Sequence, residues 1–193
     1  MDILRQPILL ASKSPRRKQL LTEAGFNIRI ATKEVDESYP EDMPATEVAQ
    51  YLAEKKAMAC ADFLRDGELL LAADSIVVLG NEIFEKPEDR DDAFRIIRSL
   101  SGNKHQVITG VCLLGKGGKV AFSEVANVYM DTLSDEEIAY YIDNYQPYDK
   151  AGAYAIQEWI GLCKINKIEG TFQNVMGLPV AAVYRAIREM LQS

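Results

Sequence analysis

The sequence of 193 residues has little histidine and little cysteine. A single histidine, His105, excludes zinc sites of the H-E-x-x-H type and most centres built from several histidines, so any metal must be held by carboxylates. The cysteines Cys60, Cys112 and Cys163 lie far apart and form no C-x-x-C pair. This spacing indicates neither a disulfide framework nor a zinc knuckle, and it fits a reducing cytoplasm.

Long hydrophobic runs and an excess of positive charge are missing as well. No signal-peptide core is present near the start, and no run approaches the roughly 18 residues of a membrane span, so we expect a soluble cytoplasmic protein. The formal net charge of −7 argues against nucleic-acid and anionic-membrane partners, because both bind through an excess of Lys and Arg. The local basic cluster Arg16–Lys18 instead suits a small polyanion.

Size and patterning predict one globular domain. At this length roughly 70% of the extended chain's surface is buried on folding, which is enough for a core without covalent cross-links. Helical and strand-like periods alternate along the chain. The patterns predict strands at 8–11, 69–79, 82–85, 107–114, 120–130 and 159–168, and helices at 15–24, 46–65, 91–100, 134–144 and 180–191. We therefore expect an α/β or α+β domain with a mixed sheet flanked by helices.

Asp74, followed by Ser75, interrupts the apolar run 69–79. An ionised carboxylate is costly to bury unless it is paired or binds a metal. Asp74 is therefore a candidate metal ligand or the base that activates water. The alternative is that Asp74 is a structural residue at a strand end, where its carboxylate accepts hydrogen bonds from backbone N–H groups. An aspartyl-phosphate phosphohydrolase is disfavoured, because position 76 is Ile where a second acid is needed.

Three basic segments are candidates for phosphate binding. In Ser12–Arg17, which joins a strand to a helix, Ser14 is the expected N-cap; free N–H groups and guanidinium forks there favour phosphate. The alternative is an ordinary solvated helical turn. Lys55 lies at the edge of an apolar stripe, where it either points into a site or snorkels to solvent. Lys86, before Pro87, is a weaker candidate.

Seven short stretches together carry a family resemblance. They are LLASKSPRRKQLL (9–21), EVDE (34–37), AADSIV (72–77), EKP (85–87), LSG with HQVIT (100–109), DKAGAYAIQ (149–157) and NVMGLPV (174–180). Their order and spacing resemble the Maf (septum-formation) family of nucleoside triphosphate pyrophosphatases over nearly the whole chain. The resemblance implies one Maf-like domain over 1–193, with a fold like the inosine triphosphate pyrophosphatases and two lobes around a cleft.

The resemblance also implies an activity and its residues. The activity is hydrolysis of a nucleoside triphosphate to the monophosphate and pyrophosphate by a cytoplasmic homodimer that uses a divalent cation, Mg²⁺ or Mn²⁺. Asp74 falls on the proposed proton acceptor, and Glu37 joins it as a metal or water ligand. The positions implied to bind substrate are Ser12, Ser14, Arg16, Arg17, Lys55, Ser75, Lys86 and Gln157.

Substrate choice is implied by the A-G-A-Y-x-I-Q stretch, which resembles the dTTP/UTP pyrophosphatases. Gln157 favours a pyrimidine, whereas the 7-methyl-GTP group has an acid at this position. The chain departs from the family pattern at Ala72, Ala155 and Glu158, where glycine is usual, and at Ser75, where threonine is usual. Two alternatives stay open, a 7-methyl-GTP pyrophosphatase and a nucleotide-dependent binding protein in cell division.

Overall fold

The computed structural model describes residues 2–192, and its central feature is a mixed β-sheet. The strands are β1 (Pro7–Leu10), β2 (Asn27–Ile30), β3 (Leu69–Leu79), β4 (Glu82–Phe84), β5 (Lys104–Gly115), β6 (Gly118–Met130) and β7 (Ile165–Glu169). Their hydrogen-bonded order is β2-β1-β3-β5-β6-β7, and β4 pairs with β3. Strand β1 is parallel to both β2 and β3, whereas the β3/β4 and β6/β7 pairs are antiparallel. The expected mixed sheet is confirmed.

Helices connect most of these strands. They are α1 (Pro15–Glu23), α2 (Ala45–Ala59), α3 (Arg90–Leu100), α4 (Asp135–Tyr145), α5 (Trp159–Cys163), α6 (Phe172–Met176) and α7 (Val180–Met190). Short 3-10 turns occur at Asp2–Arg5, Ala61–Phe63 and Ala151–Ala153. Across residues 2–192, no helix is both long enough and apolar enough to cross a membrane.

The chain divides into two compact units, and β3, β5 and β6 contribute residues to both. The first unit contains residues 2–74, 109–124 and 177–192 of the described chain. Its buried cluster joins β1 and β3 to one face of α2 through Leu9, Leu70, Ala53 and Ala57. Helix α2 lies so close to β5 that a Cβ atom on Gly110 would stand 2.2 Å from the carbonyl carbon of Ala49. Glycine at this position therefore sets how near α2 approaches the sheet.

The second unit contains residues 75–108 and 125–176. Its core packs α3 and α4 together with strand residues, through side chains that include Ile96, Leu100, Ile138 and Tyr141. Helix α4 opens with a complete capping box, in which Ser134 and Glu137 each bond the other's backbone N–H. The sequence predicts this cap, and the structure confirms it.

The strand predicted at 159–168 is wrong in its first half. Residues Trp159–Cys163 form α5, and only Ile165–Glu169 forms a strand. Strand alternation would place Ile160 and Leu162 on one face. Instead Ile160 is fully buried and Leu162 is 78% exposed. A short apolar run does not distinguish a strand from a helical turn by its period alone.

The helix predicted at 46–65 is also shorter than expected. Helix α2 ends at Ala59, and the 3-10 turn Ala61–Phe63 follows it. The apolar residues of 60–64 continue the helical spacing, but Cys60 already has the conformation of a C-cap. Helix ends are the least certain feature of a periodic pattern, because the last turn often tightens.

Candidate active site

Two loops and the middle of strand β3, all in the first unit, carry the candidate site residues. In the register of the parallel strands, Leu10 at the end of β1 pairs with Ile30 at the end of β2 and with Leu71 in β3. Carboxyl ends of parallel strands meet at the same edge, where ligands of such sheets bind. The segments that continue beyond these residues carry Ser12 and Asp74, and the loop after β2 carries Glu37.

Two carboxylates at this edge share one ammonium ion. The Lys56 Nζ atom lies 2.6 Å from Glu37 Oε1 and forms an ion pair and hydrogen bond with Asp74 Oδ1. The side chains of Asp74 and Lys56 are only 13% and 18% exposed. The charge that interrupts the apolar strand is therefore neutralised by a lysine from α2. This contact explains how the strand tolerates a carboxylate.

Lys55 lies beside the same loop but makes different contacts. Its Nζ atom lies 3.0 Å from the Ser38 carbonyl oxygen and 3.3 Å from Asp36 Oδ2. Hydrogen bonds from Ser38 and from Lys55 hold the pKa of Asp36 below its ordinary value. The lysine at Asp74 is Lys56, a residue that the sequence analysis missed. Lys55 and Lys56 follow the buried Leu52 by three and four residues, so both lie about one helical turn from it and the spacing does not separate them.

The guanidinium of Arg17 is held on two sides. Its Nε donates to the Gly177 carbonyl oxygen at 2.8 Å, and its Nη1 donates to Ser12 Oγ at 3.1 Å. Burial lowers the pKa of Arg17, whereas the nearby charges of Asp74 and Glu37 act in the opposite direction. An arginine remains charged at neutral pH. A fixed positive group therefore lies close to both carboxylates.

The serines of the opening motif shape the start of α1. Ser12 Oγ accepts the Ser14 N–H at 3.2 Å, and Ser14 Oγ accepts the Arg17 N–H at 3.5 Å as the predicted N-cap. Pro15 occupies the first helical turn, as expected, and that turn holds no acidic residue. Arg16 is close enough to lower the pKa of Arg17. The helix N-terminus and two arginines make this turn positive, which suits an anion.

The remaining predicted substrate residues belong to the second unit. Ser75 follows Asp74 in β3 and is partly buried, and Lys86 is exposed just beyond β4. Gln157 is exposed at the end of a buried segment. The Gly152 N–H donates to the Glu85 carbonyl oxygen at 3.2 Å, so the backbones of the EKP and DKAGAYAIQ stretches are bonded to each other.

Residues 7–190 match the family described as Maf-like protein. The chain belongs to the Maf family. A dTTP/UTP pyrophosphatase of Bacteroides thetaiotaomicron is 46% identical to it, over 95% of this chain and 95% of the relative. One from Cytophaga hutchinsonii is 47% identical, over 95% of this chain and 84% of the relative. One from Porphyromonas gingivalis strain W83 is 44% identical, over 100% and 98%. The resemblance found in the sequence is confirmed.

Among solved structures, the Staphylococcus aureus Ham1 protein aligns with 64% of this Maf chain and 71% of its own, with 15% identity and a TM-score of 0.47.

The carboxylates of this Maf protein fit one kind of metal site. Among residues 2–192, no group of three or more His, Cys, Asp or Glu side chains is arranged to hold an ion. Glu37 and Asp74 nevertheless meet at the Lys56 ammonium. Mg²⁺ is commonly bound by one or two carboxylates, with water and substrate phosphates as its other ligands. Two carboxylates suffice for an ion that a phosphate substrate also ligates, and in this structure the Lys56 ammonium is the cation that both of them contact.

Proposed function

We propose that this Maf protein is a nucleoside triphosphate pyrophosphatase, acting through residues 1–193 as one domain. It hydrolyses dTTP and UTP to the monophosphate and pyrophosphate by water attack on the α-phosphorus. The observation that carries the proposal is the Glu37–Lys56–Asp74 cluster beside Arg17. The relatives named above, dTTP/UTP pyrophosphatases at 44–47% identity, support the substrate class.

The basic residues of the site would bind the triphosphate. Arg16 and Arg17 lie in the first turn of α1, where guanidinium groups and free N–H groups both attract phosphate oxygens. The Gly177 carbonyl and Ser12 Oγ fix the plane of the Arg17 guanidinium before substrate arrives. Lys55 and Lys86 complete the proposed phosphate contacts. Charge that grows on the departing pyrophosphate would then meet groups already in place.

Asp74 would accept the proton of the attacking water. A general base must be ionised and within hydrogen-bond reach of that water. The Lys56 ammonium pairs with the Asp74 carboxylate and holds it in position. Glu37 bonds the same ammonium from the other side and thereby fixes the position of Lys56.

Glu37 and Asp74 would also hold the divalent cation, Mg²⁺ or Mn²⁺, which when bound polarises phosphate oxygens as a Lewis acid. Ser75 and Gln157 would contact the pyrimidine together with Arg16. The homodimer and the cytoplasmic location implied by the resemblance belong to the same proposal.

The test is pyrophosphate release from dTTP, UTP, CTP, GTP, ATP and 7-methyl-GTP, each with Mg²⁺, Mn²⁺ or no metal. We expect metal-dependent hydrolysis of dTTP and UTP well above the others. If 7-methyl-GTP is hydrolysed faster than dTTP and UTP, the type of reaction is as proposed but the substrate assignment is wrong. Folded protein that binds nucleotides and hydrolyses none would support the binding-protein alternative.

A further inference from the structure

The segment 149–158 of the second unit, here called the base loop, is largely buried, although its regular structure is limited to the 3-10 turn Ala151–Ala153. Residues 152–156 are all buried, whereas Gln157 is exposed. Gly152 and Ala153 both have left-handed backbone angles, with φ of 71° and 55°. This conformation is unfavourable for alanine and persists only where the surroundings enforce it. The base loop is therefore held in one shape by contacts elsewhere.

One hydroxyl group bonds the loop on both sides of Gln157. Tyr141, on α4, accepts the Ala155 N–H at 3.0 Å and donates to the Glu158 carboxylate. Tyr141 is fully buried, and burial followed by the bond to Glu158 raises the pKa of its hydroxyl far above the ordinary value. It therefore remains a protonated donor. A single oxygen atom thus connects α4 to the residues that flank Gln157.

A buried lysine completes this network. The Lys150 side chain is 9% exposed, and its Nζ lies 3.5 Å from Glu158 Oε1 and 2.7 Å from Asp149 Oδ1. Glu158 therefore meets a hydroxyl on one oxygen and an ammonium on the other. The bond from the Tyr141 hydroxyl is charge-assisted and therefore stronger than a neutral one, and the ion pair with Lys150 restricts the carboxylate further.

The other half of the loop has its own anchors. The Tyr154 hydroxyl bonds His105 Nε2 at 2.7 Å, and the Gly152 N–H bonds the Glu85 carbonyl oxygen. A Cβ atom on Gly152 would stand 2.7 Å from the Val77 side chain, so the backbone rests directly on β3. These anchors fix residues 152–154 independently of Tyr141. Loss of the Tyr141 hydroxyl would therefore loosen the end that carries Gln157 and leave the rest in place.

We propose that Tyr141 and Glu158 are positioning residues that set base selectivity through Gln157. This inference rests on the proposed function, in which the Gln157 amide contacts a pyrimidine. Thymine and uracil present a carbonyl acceptor at C4, whereas cytosine presents an amino donor there. An amide held in one orientation distinguishes these edges, but an amide on a loose segment can offer either its N–H₂ or its oxygen. The Tyr141–Glu158 network would therefore discriminate UTP from CTP.

The test compares Tyr141→Phe with Tyr145→Phe, a matched removal of a hydroxyl from the same helix, whose ring stacks on Tyr141 at 5.0 Å. The readouts are kcat/KM for UTP and for CTP, and amide hydrogen exchange of the base loop. In Tyr141→Phe we expect the UTP/CTP ratio to fall about tenfold, as for loss of one directed polar contact, and the loop to exchange faster. Tyr145→Phe should retain both the ratio and the exchange rate.

A second variant, Glu158→Gln, keeps an oxygen acceptor for Tyr141 but removes the charge that faces Lys150. Its UTP/CTP ratio should fall less than that of Tyr141→Phe, and it carries the test if Tyr141→Phe does not fold. If both variants are folded and active and their UTP/CTP ratio is unchanged, the inference is overturned and the proposed function still stands. Absence of UTP hydrolysis by the unmodified protein would instead overturn the proposed function and the inference with it.

Discussion

At the residue scale, the site depends on which charged atoms meet. The sequence marks Asp74 because it interrupts an apolar strand, and the structure supplies the reason that it is tolerated there. Its carboxylate pairs with Lys56, which also bonds Glu37. Sequence position alone did not separate Lys55 from Lys56, because neighbouring residues on a helix point about 100° apart and both lie near the edge of the buried face.

Replacement of Asp74 tests the proposed base. Asp74→Asn keeps the shape of the side chain but removes its capacity to accept a proton. We expect kcat for dTTP to fall by about a thousandfold. The far-ultraviolet circular dichroism spectrum should remain that of the native protein. Asp62→Asn, at an exposed residue that pairs with Lys33, serves as the control and should retain activity. Turnover of Asp74→Asn close to that of the unmodified protein would exclude Asp74 as the base.

The two lysines can be compared directly. Lys56→Met leaves Glu37 and Asp74 without their shared ammonium, so kcat should fall by about a hundredfold. Lys55→Met removes a contact with Asp36 and the Ser38 carbonyl and should mainly raise KM by a few fold. Steady-state kinetics with dTTP measures both, with Lys116→Met as an exposed control. If kcat falls more in Lys55→Met than in Lys56→Met, the contacts of Lys56 are structural and not part of the catalytic site.

At the element scale, the position of α2 determines where Lys56 lies. This helix begins without a side-chain cap at Pro44, and Gly110 of β5 allows its backbone to approach the sheet. Helix α1 differs, because its Ser14 cap and Pro15 start are local and readable from the sequence. Local hydrogen bonds fix where a helix begins. The distance between a helix and a sheet is fixed by residues remote in sequence.

Substitution of Gly110 tests this placement. The Cβ atom of Gly110→Ala would stand 2.2 Å from Ala49 carbonyl atoms, so α2 must shift. We expect the free energy of unfolding to fall by about 2 kcal/mol, measured by urea denaturation, and kcat to fall as Lys56 moves from Asp74. Gly117→Ala is the control, since its nearest heavy atom would be 3.6 Å away. Equal stability of the two variants would show that α2 adjusts without cost.

At the scale of the whole molecule, a partly buried ion pair contributes to stability against acid. Arg29 of β2 donates from Nε to Glu68 Oε1 at 2.6 Å, and the Arg65 N–H donates to Glu68 Oε2 at 2.9 Å. The bond from Arg29 lowers the pKa of Glu68 from 4.5 to about 2. Because the folded pKa is the lower one, this stabilisation is complete above pH 4.5 and is lost as the pH falls towards 2.

The variant Glu68→Gln should therefore lower the free energy of unfolding at pH 7 by about 1 kcal/mol. The difference from the unmodified protein should shrink as the pH falls from 4.5 to about 2, because protonation removes the same charge. Thermal unfolding at several pH values measures this. Glu23→Gln, at an exposed residue of α1, is the control. A difference that stays constant with pH would show that the loss comes from packing and not from charge.

The sequence by itself determined the fold class, many of the elements, the caps at Ser14 and Ser134, and the family. These follow from periods and hydrogen bonds that close within a few residues, or from motifs such as the one at Ser12–Arg17 that keep their order along the chain. It did not distinguish the helical turn Trp159–Cys163 from a strand, because five apolar-rich residues fit either period.

The tertiary structure decided which side chains share a site. Lys56 meets Asp74, Gly177 holds Arg17, and Tyr141 bonds both flanks of Gln157, although each set joins segments that are separate in the sequence. These contacts depend on strand register, helix rotation and the distance between neighbouring backbones. No local pattern encodes these quantities, because they are fixed only when the whole core packs.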